Sequence, residues 1–264
     1  MPKVSVIIPC FNLGQYLNEA VESVLRQTYR DFEIIIVNDG STDEFTNNLL
    51  SSYDKPKTKV LTTENQGLPS ARNNGILISN GDYICCLDAD DKYHPEFLEK
   101  TVKVLDQDAD KKCGFVTTWM EFFGEKNGLL ETSDYKPYVL FFSNVVHVAS
   151  LFRKECWEKK GGYSTNLHGY QDWDFWIYII AEGYQWHCIH EPLFRYRVRM
   201  NSMITNSNKY RYSIFKQIIE NNKSYYLNNY ADILAAMLES LDVRDALVEN
   251  LVIKANKKDV CKSG

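Results

Sequence analysis

Apolar residues in the first half of the chain fall into short runs, separated by stretches with a different rhythm. Val4–Pro9 is a near-continuous apolar run rich in β-branched residues, and Phe32–Val37 (FEIIIV) is a second. Lys59–Leu61 is a weak third, Tyr83–Leu87 (YICCL) a fourth, and Gly114–Thr118 begins a fifth. Runs apolar on both faces predict strands covered on both sides, as in parallel sheets. Between the first two, Leu17, Ala20, Val21, Val24 and Leu25 repeat at three and four, which predicts a helix with one apolar stripe. Ser41 and Glu44 read as a capping box at the start of the next helix. Pro69 suits the first turn of a helix running to about Ser79, and Gly81 fits its end. Pro95 opens another, carrying Phe97, Leu98, Val102 and Leu105. Strand and helix alternate, which predicts an open α/β sheet with right-handed crossovers.

The second half changes character. Asn144–Phe152 is apolar, and Lys154–Lys160 is helix-like up to Gly161–Gly162. Asp172–Glu182 (DWDFWIYIIAE) predicts an aromatic-rich buried helix ending at Gly183. Trp186–Ile189 and Leu193–Val198 read as two short strands. From about Tyr210 the pattern is helical: a Tyr/Asn-rich stretch, then Ile233–Leu241, then Ala246–Ala255. The only candidate boundary is Asn201–Asn208 (NSMITNSN).

Length and composition narrow the class. At about 150 residues per domain, 264 residues make one large domain, or one with an appendage. A hydrophobic share of 44% and a charged share of 25% are those of a globular protein, which excludes disordered and collagen-like chains. The formal charge of −5 gives no basic footprint for nucleic acid, so no nucleic-acid partner is expected. No apolar run reaches the length of a membrane span, and the N-terminal segment lacks the pattern of a secretory signal. Seven cysteines, none in C-x-x-C spacing, read as small buried hydrophobes in a reducing cytoplasm.

In an open parallel sheet, ligands bind outside the carboxyl ends of the strands. Polar segments gather there. Pro9-Cys10-Phe11-Asn12 follows the first run, Asn38-Asp39-Gly40-Ser41-Thr42-Asp43 the second, and Glu64-Asn65-Gln66-Gly67 the third, leading into Ala71-Arg72-Asn73-Asn74-Gly75. Asp88-Ala89-Asp90-Asp91 follows the fourth. Alternate carboxylates at a strand end point the same way, so Asp88 and Asp90 can share a divalent cation, or divide a cation and a ribose between them. An acidic loop capping the next helix would show the same residues. Asp39 fits either a turn or an acceptor of hydrogen bonds from a base or ribose. Arg72 fits a phosphate contact, a partner for Asp39, or an exposed helix arginine.

Taken together these segments resemble a family. VSVIIPCFN, VNDGSTD, ENQGLPSARNNGI and LDADD, in that order, look like the nucleotide-sugar-binding half of family 2 glycosyltransferases with the GT-A fold. GGY, QDWDFWIYIIAEGY and YRVRMNS look like its acceptor half. The resemblance spans about residues 3–202. It implies an α/β, nucleotide-diphospho-sugar-transferase-like fold: an open, mainly parallel sheet flanked by helices, with a helical C-terminal appendage. The implied organisation is a glycosyltransferase domain over 1–205, with a nucleotide-sugar half at 1–118 and an acceptor half at 119–205, and a helical extension over 206–264.

By resemblance, Pro9, Phe11 and Asp39 hold nucleobase and ribose. Arg72 and Ala89 join the nucleotide-sugar contacts. Asp88 and Asp90 are the D-x-D pair, with Asp90 the direct ligand of Mn²⁺ or Mg²⁺. Asp172 matches the general base of inverting members. Its position at a helix N-terminus would favour the ionised form that a base requires. Three positions depart from the pattern. Gln171 replaces the glutamate before the base, Asn38 replaces an aspartate before Asp39, and Arg199 stands where many members have histidine. Arg199 is expected to contact the diphosphate as a fixed cation. Trp173 and Trp176 could stack on sugar, with core packing the default for Trp176. His168 is either an acceptor contact or a surface-loop residue. His147, His187 and His190 are expected as core histidines.

The expected activity is inverting, metal-dependent transfer from a nucleotide-sugar, UDP-linked, to a glycan or lipid-linked acceptor in surface polysaccharide biosynthesis. The alternative is a non-catalytic nucleotide-sugar-binding or scaffold protein, its base disabled by Gln171. A nucleotidyltransferase would want a glycine-rich triphosphate loop, which the segment after the first strand is not. Lys254–Lys262 (KANKKDVCK) is basic in an acidic chain. It suits a solvated tail or a peripheral contact with the anionic inner membrane face. The C-terminal helices could also support a homodimer.

Overall fold

A computed structural model of the chain describes residues 1–199 and 209–242. The four apolar runs are β1 (Val4–Cys10), β2 (Phe32–Asp39), β3 (Thr58–Thr63) and β4 (Tyr83–Cys86). They are connected by α1 (Gly14–Leu25), α2 (Glu44–Ser51) and α3 (Leu68–Leu77). β5 (Lys92–Tyr93), α4 (Phe97–Gln107), β6 (Cys113–Gly124) and β7 (Gly128–Leu130) follow. After a single 3-10 turn at Val139–Phe141 come β8 (Leu151–Arg153), α5 (Lys154–Lys160), α6 (Gln171–Ala181) and β9 (Gln185–Val198). The C-terminal part adds α7 (Arg211–Asn221), α8 (Lys223–Asn228) and helical backbone over residues 230–242. The expected boundary at Asn201–Asn208, the helix at Ala246–Ala255 and the basic Lys254–Lys262 stretch lie outside the described residues.

The strands form one sheet in the order β3-β2-β1-β4-β8-β6-β9-β5, with β7 on β6. β3, β2, β1 and β4 are mutually parallel. The second half is mixed: β8 runs antiparallel to β4 and β6, and β5 antiparallel to β9, while β6 and β9 are parallel. Side chains alternate across the parallel strands and bury both faces. Val4, Val6 and Ile8 of β1 pack with Ile34 and Ile36 of β2 against Leu17, Val21 and Val24 of α1 and Phe97 and Val102 of α4. Ile7, Ile35 and Val37 face the other way, toward Ala71 and Ile76 of α3 and Phe175, Trp176 and Ile179 of α6. A strand buried on both sides has no polar alternation, which is why these segments read as continuous apolar runs.

β1 pairs with β2 along its whole length but with β4 only as far as Ile7. The last three residues of β1 therefore run past the end of β4. Pro9, which lacks a donor, sits where the β4 side needs none. The strand order reverses here, at the topological switch point where an open α/β sheet forms its ligand crevice.

Several local expectations change. The capping box does not form: Asp43 caps α2 by accepting from Thr46 N at 2.7 Å, while Ser41 Oγ accepts from Asn12 N. α3 ends at Leu77, short of Ser79. The two short strands after Trp186 are one strand, and the His190-Glu191-Pro192 interruption is a bulge against β6. The outward face of β9 leaves His187 and His190 exposed, so they are not core histidines. His190 instead pairs with Asp134 at 2.8 Å and stacks on Trp119. His147 is partly buried: its Nε2 meets the Thr118 carbonyl at 3.1 Å and its ring stacks on Phe194. Cys10, Cys85, Cys86, Cys156 and Cys188 are buried free thiols, and Cys113 is partly buried.

Candidate active site

One wall of the crevice is built by two loops tied together. Asn12, in the left-handed conformation (φ 55°), accepts from Thr42 N and Asp43 N and donates to Thr42 Oγ1. This clamps the loop after β1 to the loop after β2. Asp39, buried at the end of β2, accepts from Gln66 N and Gly67 N, both at 2.9 Å. These bonds fix the start of α3 and leave lone pairs of the carboxylate unused. Gly40 follows at φ 64°, and a Cβ there would lie 2.5 Å from Asn65 N, so the turn admits no side chain. Asn38 is buried, accepts from Ser41 N and donates to Asn47. Its amide thus does a structural task that a carboxylate could only half perform. Phe11 presents a ring 42% exposed beside Pro9, the kind of open aromatic face on which a base can rest.

Arg72 is 2% exposed and donates from Nη2 to Asp88 Oδ1 at 2.8 Å. Its guanidinium lies over the Tyr163 ring, 5.8 Å from the centroid. Burial opposes its charge, but the groups around it, Asp88 foremost and then Cys86, Tyr163 and Asp172, together outweigh burial and hold it protonated. Arg72 therefore does not hold Asp39, one of the roles open to it from sequence. Its neighbour Asn73 accepts from Trp157 Nε1 and Tyr163 N and donates to the Tyr163 carbonyl. Two consecutive residues of α3 thus brace Asp88 on one side and the chain before α6 on the other.

Asp90 forms an ion pair with Arg199 Nε at 2.7 Å. Burial and the charge of Asp88 push its carboxyl above the usual range, and Arg199 only partly offsets them. Asp91 is wholly buried and accepts from Arg197 N at 2.8 Å, while its Oδ2 has no partner. Arg197 also donates to the Asp90 carbonyl and to Glu19, and both arginines lie over the Tyr16 ring. The last residues of β9 thereby hold the acidic loop from outside. Asp91, Arg197, Asn73 and Tyr163 were not singled out in the sequence. Arg197 had one signal: it lies two positions before Arg199, near the end of an expected strand.

Asp172 lies in the first turn of α6. Burial pushes its carboxyl up, and the Arg72 charge and the backbone N–H of Trp173 pull it partly back. The helix N-terminus does not win as the sequence suggested: the net direction is upward. Gln171 is buried and donates to the Leu167 carbonyl at 3.0 Å. Trp173 donates to the Leu140 carbonyl and stacks on Phe215, and Trp176 packs on Phe115, so both are core and neither is a sugar platform. His168 is exposed in the loop before α6. Asp39, Arg72, Asp88, Asp90, Arg199 and Asp172 are thus gathered at one edge, with Arg72 acting electrostatically on both Asp88 and Asp172.

No cluster of three or more His, Cys, Asp or Glu suited to a metal occurs among the described residues. The residues present fit a divalent cation in another way. The charge of Asp88 adds to the cost of ionising the largely buried Asp90, and a dication held between the two would offset that cost. Mg²⁺ or Mn²⁺ needs only one or two such ligands when phosphate oxygens and water complete its shell.

Residues 5–156 match the family described as Glycosyl transferase family 2. The chain belongs to glycosyl transferase family 2. Within it, the chain is 31% identical to an uncharacterised glycosyltransferase of Methanocaldococcus jannaschii over 87% of this chain and 83% of that one. It is 30% identical to TuaG of Bacillus subtilis, named as a teichuronic acid biosynthesis glycosyltransferase, over 78% and 82% of the two chains. Among solved structures, Staphylococcus aureus TarS bound to UDP-GlcNAc superposes with a TM-score of 0.64 at 18% identity, covering 77% of this chain and 60% of that one. TarS bound to UDP gives 0.62 at 20% identity, covering 74% and 60%. This family-2 chain therefore has the GT-A fold of TarS and spans about 60% of its 1–349 segment.

Proposed function

We propose that this glycosyltransferase is an inverting, divalent-metal-dependent enzyme that moves a sugar from a UDP-linked donor to a glycan or lipid-linked acceptor in building a surface polysaccharide. The observation that carries the reading is Arg72: one buried guanidinium pairs with Asp88 and acts on the charge of Asp172. A carboxylate assigned to the cation at the donor diphosphate and a carboxylate assigned to take the acceptor proton would thus be coupled through one guanidinium. The UDP preference is supported by the UDP and UDP-GlcNAc complexes of TarS, and the polysaccharide context by TuaG. The free buried thiols suit a reducing cytoplasm. No helix among the described residues is long and apolar enough to cross a membrane.

In this reading Phe11 and Asp39 receive base and ribose at the end of β1 and β2. Asp90, with Asp88, would hold Mn²⁺ or Mg²⁺, which supplies charge neutralisation at the leaving diphosphate. Arg199 can exchange its pairing with Asp90 for a diphosphate oxygen. The acceptor oxygen attacks the anomeric carbon, and the bond from that carbon to the phosphate oxygen breaks with its electron pair on the nucleoside diphosphate. The proton of the acceptor hydroxyl passes to Asp172. A carboxylate whose affinity for protons is raised by burial accepts that proton more readily than a solvated one, and the Arg72 charge pulls the other way, toward the ionised form a base requires. Calorimetry with a panel of nucleotide sugars, with Mn²⁺ or with EDTA, followed by assay of nucleoside-diphosphate release, tests the reading. It predicts metal-dependent binding and slow release for a UDP-sugar. Binding to no member of the panel contradicts it.

A further inference from the structure

Asp174 is 0% exposed, two residues beyond Asp172 in the first turn of α6, and nothing in the proposed chemistry uses it. Its carboxylate collects four donors from different parts of the chain. Ser164 Oγ donates to Oδ2 at 2.6 Å and Lys160 Nζ at 2.9 Å. On Oδ1, Asn222 Nδ2 donates at 2.9 Å and Asn221 Nδ2 at 3.2 Å. Asn222, buried between α7 and α8, also donates to the Ile218 carbonyl, so its amide is fixed before it meets Asp174. The residue between Asp172 and Asp174 is held by the same helices: the Trp173 indole stacks on Phe215 of α7, centroids 4.8 Å apart and planes 9° from parallel. α8 is fastened in turn by Tyr226, which donates to the Phe141 carbonyl, next to the Leu140 carbonyl that takes the Trp173 N–H.

A buried ionic network is a poor source of stability, because desolvation cancels much of the attraction. Directional bonds from several elements to one carboxylate do fix a geometry. We infer that α7 and α8 form a clamp on the first turn of α6, with Asp174 and Asn222 as positioning residues that set where Asp172 stands relative to Arg72. The inference rests on the reading of Asp172 as the base. It gives the C-terminal helices a task in the reaction, where sequence alone left them as an appendage.

The test is steady-state kinetics on the full chain with its best nucleotide sugar and Mn²⁺, alongside donor affinity by calorimetry. Asn222→Ala should lower kcat by about tenfold to about a hundredfold, the range set by ångström-scale misplacement of a reacting group. Donor affinity should stay within about twofold. Ser164→Ala removes one donor and leaves Lys160, Asn221 and Asn222 in place; it carries the same test, with a smaller fall in kcat, if Asn222→Ala does not fold. Parent kcat in the folded variants, or equal losses in kcat and donor affinity, overturns the clamp. Asp172→Asn run in parallel separates the two readings. If it keeps turnover, the base assignment fails and the clamp with it. If it loses turnover while Asn222→Ala and Ser164→Ala keep theirs, the clamp alone fails.

Discussion

Arg72 is the residue on which the charges of the site converge. A lysine in its place keeps the charge but not the planar fork that meets Asp88 while lying over Tyr163. Arg72→Lys should therefore weaken donor binding by about tenfold, the loss of one good charge-assisted hydrogen bond. It should also move the pH profile. Arg72 pulls the Asp172 pKa down against burial, so weakening it lets that pKa rise. The base acts when deprotonated, so the acidic limb of kcat/KM must shift to higher pH; a limb unmoved from the parent's would contradict the coupling. His147 gives a second test, of stability. Burial pushes its pKa from 6.5 to about 4, so the folded state resists a proton that the unfolded state accepts. Stability is full above about pH 6.5 and falls as the pH drops toward about 4, by on the order of 2 kcal/mol at pH 5. His147→Phe should flatten that slope in denaturant titrations at pH 7 and pH 5.

Helices and strands owe their legibility to different causes. β1, β2 and β4 were visible because both faces are buried, and α1 because its stripe repeats at helical spacing. β5 and β7 were not, since Lys92–Tyr93 and Gly128–Leu130 are strands only through their pairing with β9 and β6. The long β9 was read as two because a bulge places polar residues and a proline in mid-strand. α3 carries more than its sequence pattern announced. Its Asn73 satisfies two donors, Trp157 Nε1 and Tyr163 N, from the chain leading to α6. Asn73→Ala would leave both without that acceptor, at about 1–3 kcal/mol for a stranded buried group. Thermal unfolding should show a Tm lower by several degrees; an unchanged Tm would mean that α3 does not brace this segment.

At the scale of the whole molecule, the site is an assembly of residues far apart in the chain. Asp39, Asp88 and Asp90 were legible because each is a polar residue at the end of an apolar strand, and sheet topology brings such ends to one edge. Asp91, Arg197 and Asn73 were not, because their roles exist only in contacts such as Arg197 N to Asp91, which no local pattern announces. The same architecture predicts linkage between ligand and stability. A UDP-sugar with Mn²⁺ at about a hundred times its dissociation constant should add about 2.7 kcal/mol, raising the Tm by several degrees, and EDTA should abolish most of that gain. The most direct test of the account is Asp172→Asn, assayed for transfer or donor hydrolysis and, separately, for donor binding by calorimetry. Turnover should fall by at least about a hundredfold with donor affinity nearly unchanged. Turnover close to the parent's would contradict it.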